Sequence, residues 1–427
     1  MSGTLIGIVV FNIVIALVVS LVFVPILVWM ERRVAGFMQD RMGPNRCHIG
    51  GFRLGGIIQS FADMLKLVFK EDYRPNSVKE KIIFTLSPVI VFATAYLSFM
   101  VMPFADDLII DGKSYMMQAL PIDFGLLWIL AFTGLGVYGL MLGGWASNNK
   151  YSLLGGVRAA AQVISYEAVM GLSLISMLIV YGSINLGDMV RFQGQLIWGF
   201  IPAWGIIIQP VAAILFIVTA FAETNRAPFD IAEGESEIVG GFHTEYSAMR
   251  FGLFFVGEYI AMGAASAFIV TLFLGGFQIP WLNTASLKEN IEIIFIVMIV
   301  IIPILSYLFA RWIKNNNPWI KTNDIRNRET KWLINGLIGI NIIIILTLVV
   351  FLVLGLGQDG INISVALLQI MTFIVKLLMM NFFFIWVRWT LVRFRYDQLQ
   401  NLAWKVLLPI AIANIFVTGM FVVVMGA

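Results

Sequence analysis

Apolar residues in this chain run in blocks too long for a soluble core. Ten blocks stand out, at about 5–30, 82–104, 123–144, 160–182, 197–221, 250–275, 291–311, 332–356, 364–387 and 405–425. A helix needs about 20 apolar residues to cross a bilayer. Unpaired backbone cannot face lipid, so such blocks must be helices. The predicted fold is therefore all-α: a polytopic membrane helix bundle of about ten transmembrane helices, forming a single integral membrane domain over 1–427. The first block is too long for a signal-peptide core and no A-x-A site follows it, so it is predicted to be an uncleaved span. One segment has a different rhythm. Across 54–72, Ile57, Ile58, Phe61, Met64, Leu65 and Val68 alternate with Gln59, Asp63, Lys66 and Lys70 at helical spacing. That pattern predicts an amphipathic helix lying along the membrane face. Gly139 and Gly143 form a small-x-x-x-small pair that lets two helices approach closely. Pro210, inside the fifth block, is expected to kink that span.

Basic residues orient the bundle. With the N-terminus outside, 24 Lys and Arg fall in the inner loops, three in the outer loops, and Lys376 inside a span. The positive-inside rule then places both termini on the outer side of the membrane. Composition narrows the chemistry. Hydrophobic residues make up 60% of the chain and charged ones 12%, with a net charge of +3; mean hydropathy is +0.90. One cysteine, Cys47, and two histidines, His48 and His243, exclude an iron–sulfur centre or structural zinc held by this chain alone. No dinucleotide fingerprint and no P-loop is present. Any redox cofactor therefore belongs to a partner, and nothing points to nucleic acid.

The inner loop at 222–249 changes the picture most. Between Ala222 and Tyr246 it carries Glu223, Asp230, Glu233, Glu235, Glu237 and Glu245, six of the chain's 25 acids. Pro228 is expected to open a helix there and Gly240–Gly241 to close it, placing Asp230, Glu233 and Glu237 on one face. Crowded carboxylates cannot all ionise freely, so the group should titrate as a unit and hold or release protons when a nearby charge changes. The alternative is a solvated acidic loop. Against it, Phe229, Ile231, Ile238, Val239 and Phe242 are interleaved with the acids. Glu167, Glu258 and Lys376 add charge inside predicted spans, where insertion costs about 2.5–3.5 kcal/mol each. Lys376 is expected on a proton path or in an ion pair. His48 and His243 read as loop or interface residues, and Cys47 as neutral.

Five stretches together resemble one family. They are Glu31-Arg32-Arg33 with Arg41-Met42-Gly43-Pro44-Asn45; Ala62-Asp63-Met64-Leu65-Lys66-Leu67 with Lys70-Glu71-Asp72; Gly144-Trp145-Ala146-Ser147 through Arg158 to Ser165-Tyr166-Glu167; the acidic loop through Glu258-Tyr259; and Arg393 to Leu399. They resemble the H-type membrane subunit of bacterial NADH-quinone oxidoreductase (respiratory complex I), the family of mitochondrial NADH dehydrogenase subunit 1. The resemblance implies a core of about eight spans at the heel of the membrane arm. That core would enclose a quinone tunnel with soluble partners and link quinone reduction to proton pumping. It implies that Arg32, Asp63, Arg226, Phe229 and Asp230 line or border the tunnel. Glu167, Glu223, Asp230, Glu233, Glu235, Glu237 and Glu258 would begin an acidic path, and Arg393, Arg395 and Asp397 would dock near the soluble arm. Flavin and iron–sulfur clusters would sit in partner subunits, with quinone as substrate and lipid around the chain. The implied location is the bacterial cell inner membrane.

Two departures from the family pattern stand out. Ser60 replaces the usual proline, which loosens the expected start of the surface helix. A further apolar pair within 285–356 predicts an extra peripheral helical hairpin, whose inner connection Arg311–Lys331 is basic and suited to lipid headgroups or a neighbouring subunit. Two other readings stand beside this one: the equivalent subunit of a membrane hydrogenase or ferredoxin-linked complex, and a stand-alone secondary transporter.

Overall fold

A computed structural model describes residues 3–41, 43–50, 52–315, 326–355 and 357–425. In chain order, the long helices are α1 (Leu5–Met38), the surface helix α2 (Ile58–Phe69), α3 (Lys81–Phe99), α4 (Gly125–Ala146) and α5 (Lys150–Tyr181). They continue as α6 (Pro210–Glu223), α7 (Ala248–Phe273), α8 (Ile291–Asn315), α9 (Arg326–Leu354), α10 (Gln358–Thr390) and α11 (Tyr396–Val424). Among the described residues, nine helices are long and apolar enough to cross a membrane. The chain is an all-α polytopic membrane bundle.

The fifth expected span is built differently from the other nine. Its first half is a two-stranded ribbon, Leu196–Ile197 with Ile201–Pro202, followed by the short helix Gly205–Ile208. The chain then breaks at Gln209, and Pro210 occupies the first turn of α6 instead of kinking a continuous helix. The cause is local: a residue before proline is driven out of the helical region, while proline's missing N–H costs nothing in a first turn. Gln209 sits at φ −131°, ψ 65°. The side chains around the break replace the lost ladder. Gln209 donates to Thr418 at 2.9 Å, and Gln193 accepts from the N–H groups of Gly205 and Gly275.

α7 runs through the core and packs on α3 and α10, while α5 touches α4, α6 and α11. Phe216, Phe268, Phe273, Phe373 and Phe384 fill the centre. Between helices in lipid this packing acts through close contact, and small residues permit it. A Cβ on Gly139 would lie 2.5 Å from Val91, and one on Gly143 3.1 Å from Phe254, so the small-residue pair seats α4 against α3 and α7. At one end of the bundle Arg191 bridges Asp106, Asp107 and Asp188 at 2.7–2.9 Å. The acidic segment lies at the other end.

α2 begins at Ile58, ahead of Ser60, whose side chain is buried. Phe61, Leu65, Val68 and Phe69 project from it, exposed. α8 and α9 pair with each other, and Ser306 donates to Asn341 across them at 3.1 Å. A small cluster of Leu287, Ile291, Phe295, Leu348 and Val365 joins the pair to α10, and Trp332 meets Phe52 edge-on at 5.9 Å. Residues 316–325 of the basic connection expected over Arg311–Lys331 lie outside the described residues.

Candidate functional site: an acidic cavity under a folded loop

The acidic segment does not form the helix expected between Pro228 and Gly240. Only one helical turn, Glu235–Ile238, and a tight turn at Gly241–His243 occur there. Asp230, Glu233 and Glu237 therefore share no helical face. The glycines explain the difference. Gly234 at φ 35° and Gly241 at φ 62° take the left-handed conformation, which folds the segment back on itself. A Cβ on Gly241 would collide with the carbonyl of Ala232. Gly155 on α5 lets the loop press onto that helix, because a Cβ there would meet the Phe242 nitrogen at 2.6 Å. Phe229, Ile231, Ala232, Ile238 and Phe242 are buried. A solvated loop would not bury them.

One buried cation organises the base of the loop. Arg226 is 2% exposed, and its Nη1 lies 3.0 Å from Oε2 of Glu31 toward the C-terminal end of α1. Its Nε is 2.7 Å from Oε1 of Glu258 on α7, and its guanidinium lies 4.2 Å from the centre of the Tyr259 ring. The Tyr259 hydroxyl donates to Glu31 at 2.7 Å, and Arg388 of α10 contacts the other Glu31 oxygen at 2.6 Å. Two carboxylates, two guanidiniums and a phenol from α1, α7, α10 and the loop thus meet in one charge cluster, in which the Arg226 Nε and Nη2 form no hydrogen bond. The carboxylates hold the Arg226 charge firmly, even though burial alone would favour losing it. Removing one member of such a set strands a buried charge, at about 3–5 kcal/mol.

Above this set lies a cavity of about 290 Å³. Its wall carries Glu223, Glu233, His243, Glu258 and Arg388, with Thr94, Ser98 and Thr133 among apolar residues. One Glu223 carboxylate oxygen is buried without a hydrogen-bond partner. The Glu167 carboxylate rests against Gly134 of α4, where a Cβ would meet it at 2.8 Å, and its charge is felt at Glu223. Electrostatics in the loop are uneven. Burial pushes the Asp230 carboxyl up, and the Glu233 charge adds to this. Burial also acts against a charge on Glu233, yet the His243 imidazole and the Arg226 and Arg388 guanidiniums hold it below the usual range. Burial opposes charge on His243 too, and Glu233 overcomes it, raising the imidazole above its ordinary value. Two neighbouring acids are thus pushed in opposite directions.

The remaining predicted residues fall elsewhere. Arg32 and Asp63 pair at 2.5 Å, tying the end of α1 to α2, partly exposed. Phe229 is packed between Tyr166 and Phe394, at ring distances of 5.5 and 5.3 Å. Arg393 donates to the Asp230 carbonyl, and the Phe394 N–H donates to the Pro228 carbonyl at 3.1 Å, so the 393–399 segment clasps the acidic loop. Arg395 and Asp397 face outward and sit 3.4 Å apart. Glu237 turns away from the cavity to Arg158, at 2.6 Å. The Glu235 side chain lies outside the described part. Lys376 is remote from the acids and donates to three carbonyls, Leu274 at 2.7 Å, Gly276 at 3.0 Å and Gln278 at 2.6 Å, beside the Trp204 ring.

Sequence reasoning missed Glu31, Tyr259, Arg388 and His243 as members of the site. Glu31 and Arg388 carried a usable signal, since each is a charge at the end of a long apolar run. His243 carried none beyond its place after Phe242.

The sequence model of the family described as NADH dehydrogenase matches residues 11–338 and 333–419. The chain belongs to this NADH dehydrogenase family. It is 38% identical to the H-type NADH-quinone oxidoreductase subunit of Flavobacterium psychrophilum, over 92% of this chain and 90% of the relative. The second H-type subunit of Geobacter sulfurreducens is also 38% identical, over 98% of both chains. NADH-quinone oxidoreductase subunit 8 of Rhodothermus marinus is 37% identical, over 92% of this chain and 91% of its own. The family match runs through the acidic loop and through every helix that lines the cavity.

Proposed function

We propose that this chain is the membrane heel subunit of a proton-pumping NADH:quinone oxidoreductase, and that the cavity under the acidic loop is where quinone reduction is converted into proton movement. The observation that carries the reading is the buried set around Arg226, joined to a cavity whose wall holds Glu223, Glu233 and Glu258. Reducing a quinone takes up two electrons and two protons. Charge appearing near the inner face of the loop acts through a medium of low polarity, where its effect on neighbouring carboxyls is large. Asp230 and Glu233 receive that change first. Arg226 passes it to Glu31 and Glu258, because any shift of the guanidinium toward one carboxylate unbalances the other. Glu223 and Glu167 continue the acidic line toward α4 and the neighbouring membrane subunits.

In this reading the quinone tunnel is completed by soluble partners resting on the inner face. Arg32, Asp63 and the outward pair Arg395–Asp397 lie on that side, with Phe229 and Arg226 behind them. The flavin and the iron–sulfur clusters reside in the partners, and this chain supplies no redox group of its own. α2 lies along the membrane with Phe61, Leu65, Val68 and Phe69 toward lipid. α8 and α9 form a hairpin at the periphery of the bundle. Both termini face the outer side of the bacterial inner membrane. Lys376 fits a structural duty: a cation at a helix C-terminus satisfies carbonyls that the helix itself cannot.

The test is purification through a tag on this chain, followed by an assay of NADH-dependent quinone reduction with a quinone-site inhibitor. Inhibitor-sensitive turnover, with flavin and iron–sulfur signals co-purifying, is the expected result. A complex that turns over hydrogen or ferredoxin instead would overturn the quinone assignment.

A further inference from the structure

His243 is the one histidine on the cavity wall among the described residues, and the proposed acidic path does not use it. Its ring stands edge-on to Phe242 at 5.1 Å and to Phe251 at 5.3 Å, which fixes its plane. Nε2 faces Oε1 of Glu233 at 3.4 Å, a charge-pair distance somewhat longer than a tight hydrogen bond. Glu233 from the loop and Glu258 from α7 act on its charge, and Arg388 from α10 and Glu223 from α6 line the same cavity. Glu245, two residues on, is taken up by Asn149 at 2.6 Å.

We infer that His243 is a proton-relay residue, delivering protons from the inner face to Glu233 and through it to the cavity carboxylates of Glu258 and Glu223. The inference rests on the proposed coupling role of the cavity. In the step, the imidazolium gives its Nε2 proton to Oε1 of Glu233, leaving a neutral imidazole and a neutral carboxylic acid. Glu233 hands that proton to an ionised carboxylate, Glu258 or Glu223, and becomes a carboxylate again. The imidazole is reloaded by a proton from water at the inner face. No electrons move, and each proton lost by one group is gained by the next. Histidine suits such a step because its charge changes near neutral pH, whereas a free carboxylate is already ionised there. The paired form requires an ionised Glu233 and a protonated His243. Because Glu233 raises the imidazole above its ordinary 6.5, the pair is complete below that value and is lost as pH rises through the higher value of the folded protein.

The test uses the whole complex in sealed vesicles, with protons moved per NADH oxidised read from neutral to alkaline pH. The wild-type ratio should fall on the alkaline side. His243→Asn, which keeps a polar side chain without a titrating proton, should co-purify with its partners and show a low ratio with no alkaline fall. His243→Gln serves the same purpose if the asparagine variant does not assemble. Glu223→Gln is measured in parallel as the check on the cavity itself. A histidine variant that keeps the wild-type ratio and the wild-type alkaline fall, while Glu223→Gln loses pumping, overturns the relay and leaves the cavity reading standing. If Glu223→Gln also pumps normally, the cavity reading falls and the relay falls with it.

Discussion

α7 and α8 are nearly the same length, 26 and 25 residues, yet they live in opposite surroundings. In α7, 61% of the most apolar window is buried within the protein; in α8 the figure is 6%. The mean hydropathy of those windows runs the other way, 1.8 against 3.0. The more hydrophobic helix is the one left facing out. In water burial would follow hydropathy. In a bilayer the lipid-facing helix is free to be uniformly apolar, while the interior helix must carry the polar groups that pack and function. α7 accordingly holds Glu258, Tyr259, Ser266 and Thr271, whereas α8 meets α9 through apolar contacts such as Phe295 with Phe351 and, among the described residues, a Ser306–Asn341 bond. High hydropathy marks the periphery of this protein, and interrupted hydropathy marks its working centre.

Removing charge from the centre should have the largest effect. Arg226→Ala leaves Glu31 and Glu258 buried without their shared cation, so a loss of about 3–5 kcal/mol is expected. The complex should fail to assemble or should melt early, as read by co-purification and thermal denaturation. Normal assembly would mean that the buried set does not hold α1 to α7. Next comes packing. Phe268→Ala in the core should cost on the order of 3 kcal/mol, whereas Ile343→Ala on the exposed side of α9 should stay within about 0.5 kcal/mol. Equal losses at the two positions would erase the contrast between centre and hairpin. Lys376→Met removes three bonds to carbonyls, and a fall in stability of about 1.5–3 kcal/mol is expected with proton movement per turnover unchanged. The opposite result, normal melting with lost pumping, would restore Lys376 to the proton path. The smallest effect is expected at Asn341→Ala, about 0.6 kcal/mol.

The same contrast decides what could be read from the sequence. Hydropathy identifies nine helices without difficulty, because a long apolar block in lipid has no other option. It fails at 197–221, where residues apolar enough to span instead form a ribbon, a short helix and α6, since Pro210 breaks the chain at Gln209. Composition also places the acids in one loop, but not their arrangement. The expected helical face required regular backbone from Pro228 to Gly240, and Gly234 and Gly241 prevent it by turning left-handed. The acids are brought together by tertiary contacts instead, through Arg226, His243 and the clasp of Arg393 on the loop. Contacts of that kind join Glu31, Arg226, Glu258 and Arg388 across most of the chain, and no local pattern announces them.

Glu223 and Glu237 make the most direct test, because they belong to the same acidic segment and the fold separates them. Glu223 stands on the cavity wall with a buried, unpartnered oxygen, while Glu237 turns outward to Arg158. Protons moved per NADH should be measured for Glu223→Gln and Glu237→Gln in the assembled complex in sealed vesicles. Glu223→Gln should lose most proton movement and Glu237→Gln should keep it, with both variants assembled. Pumping lost at Glu237 and retained at Glu223 would contradict the claim that the cavity, rather than the loop's outer surface, couples the reaction.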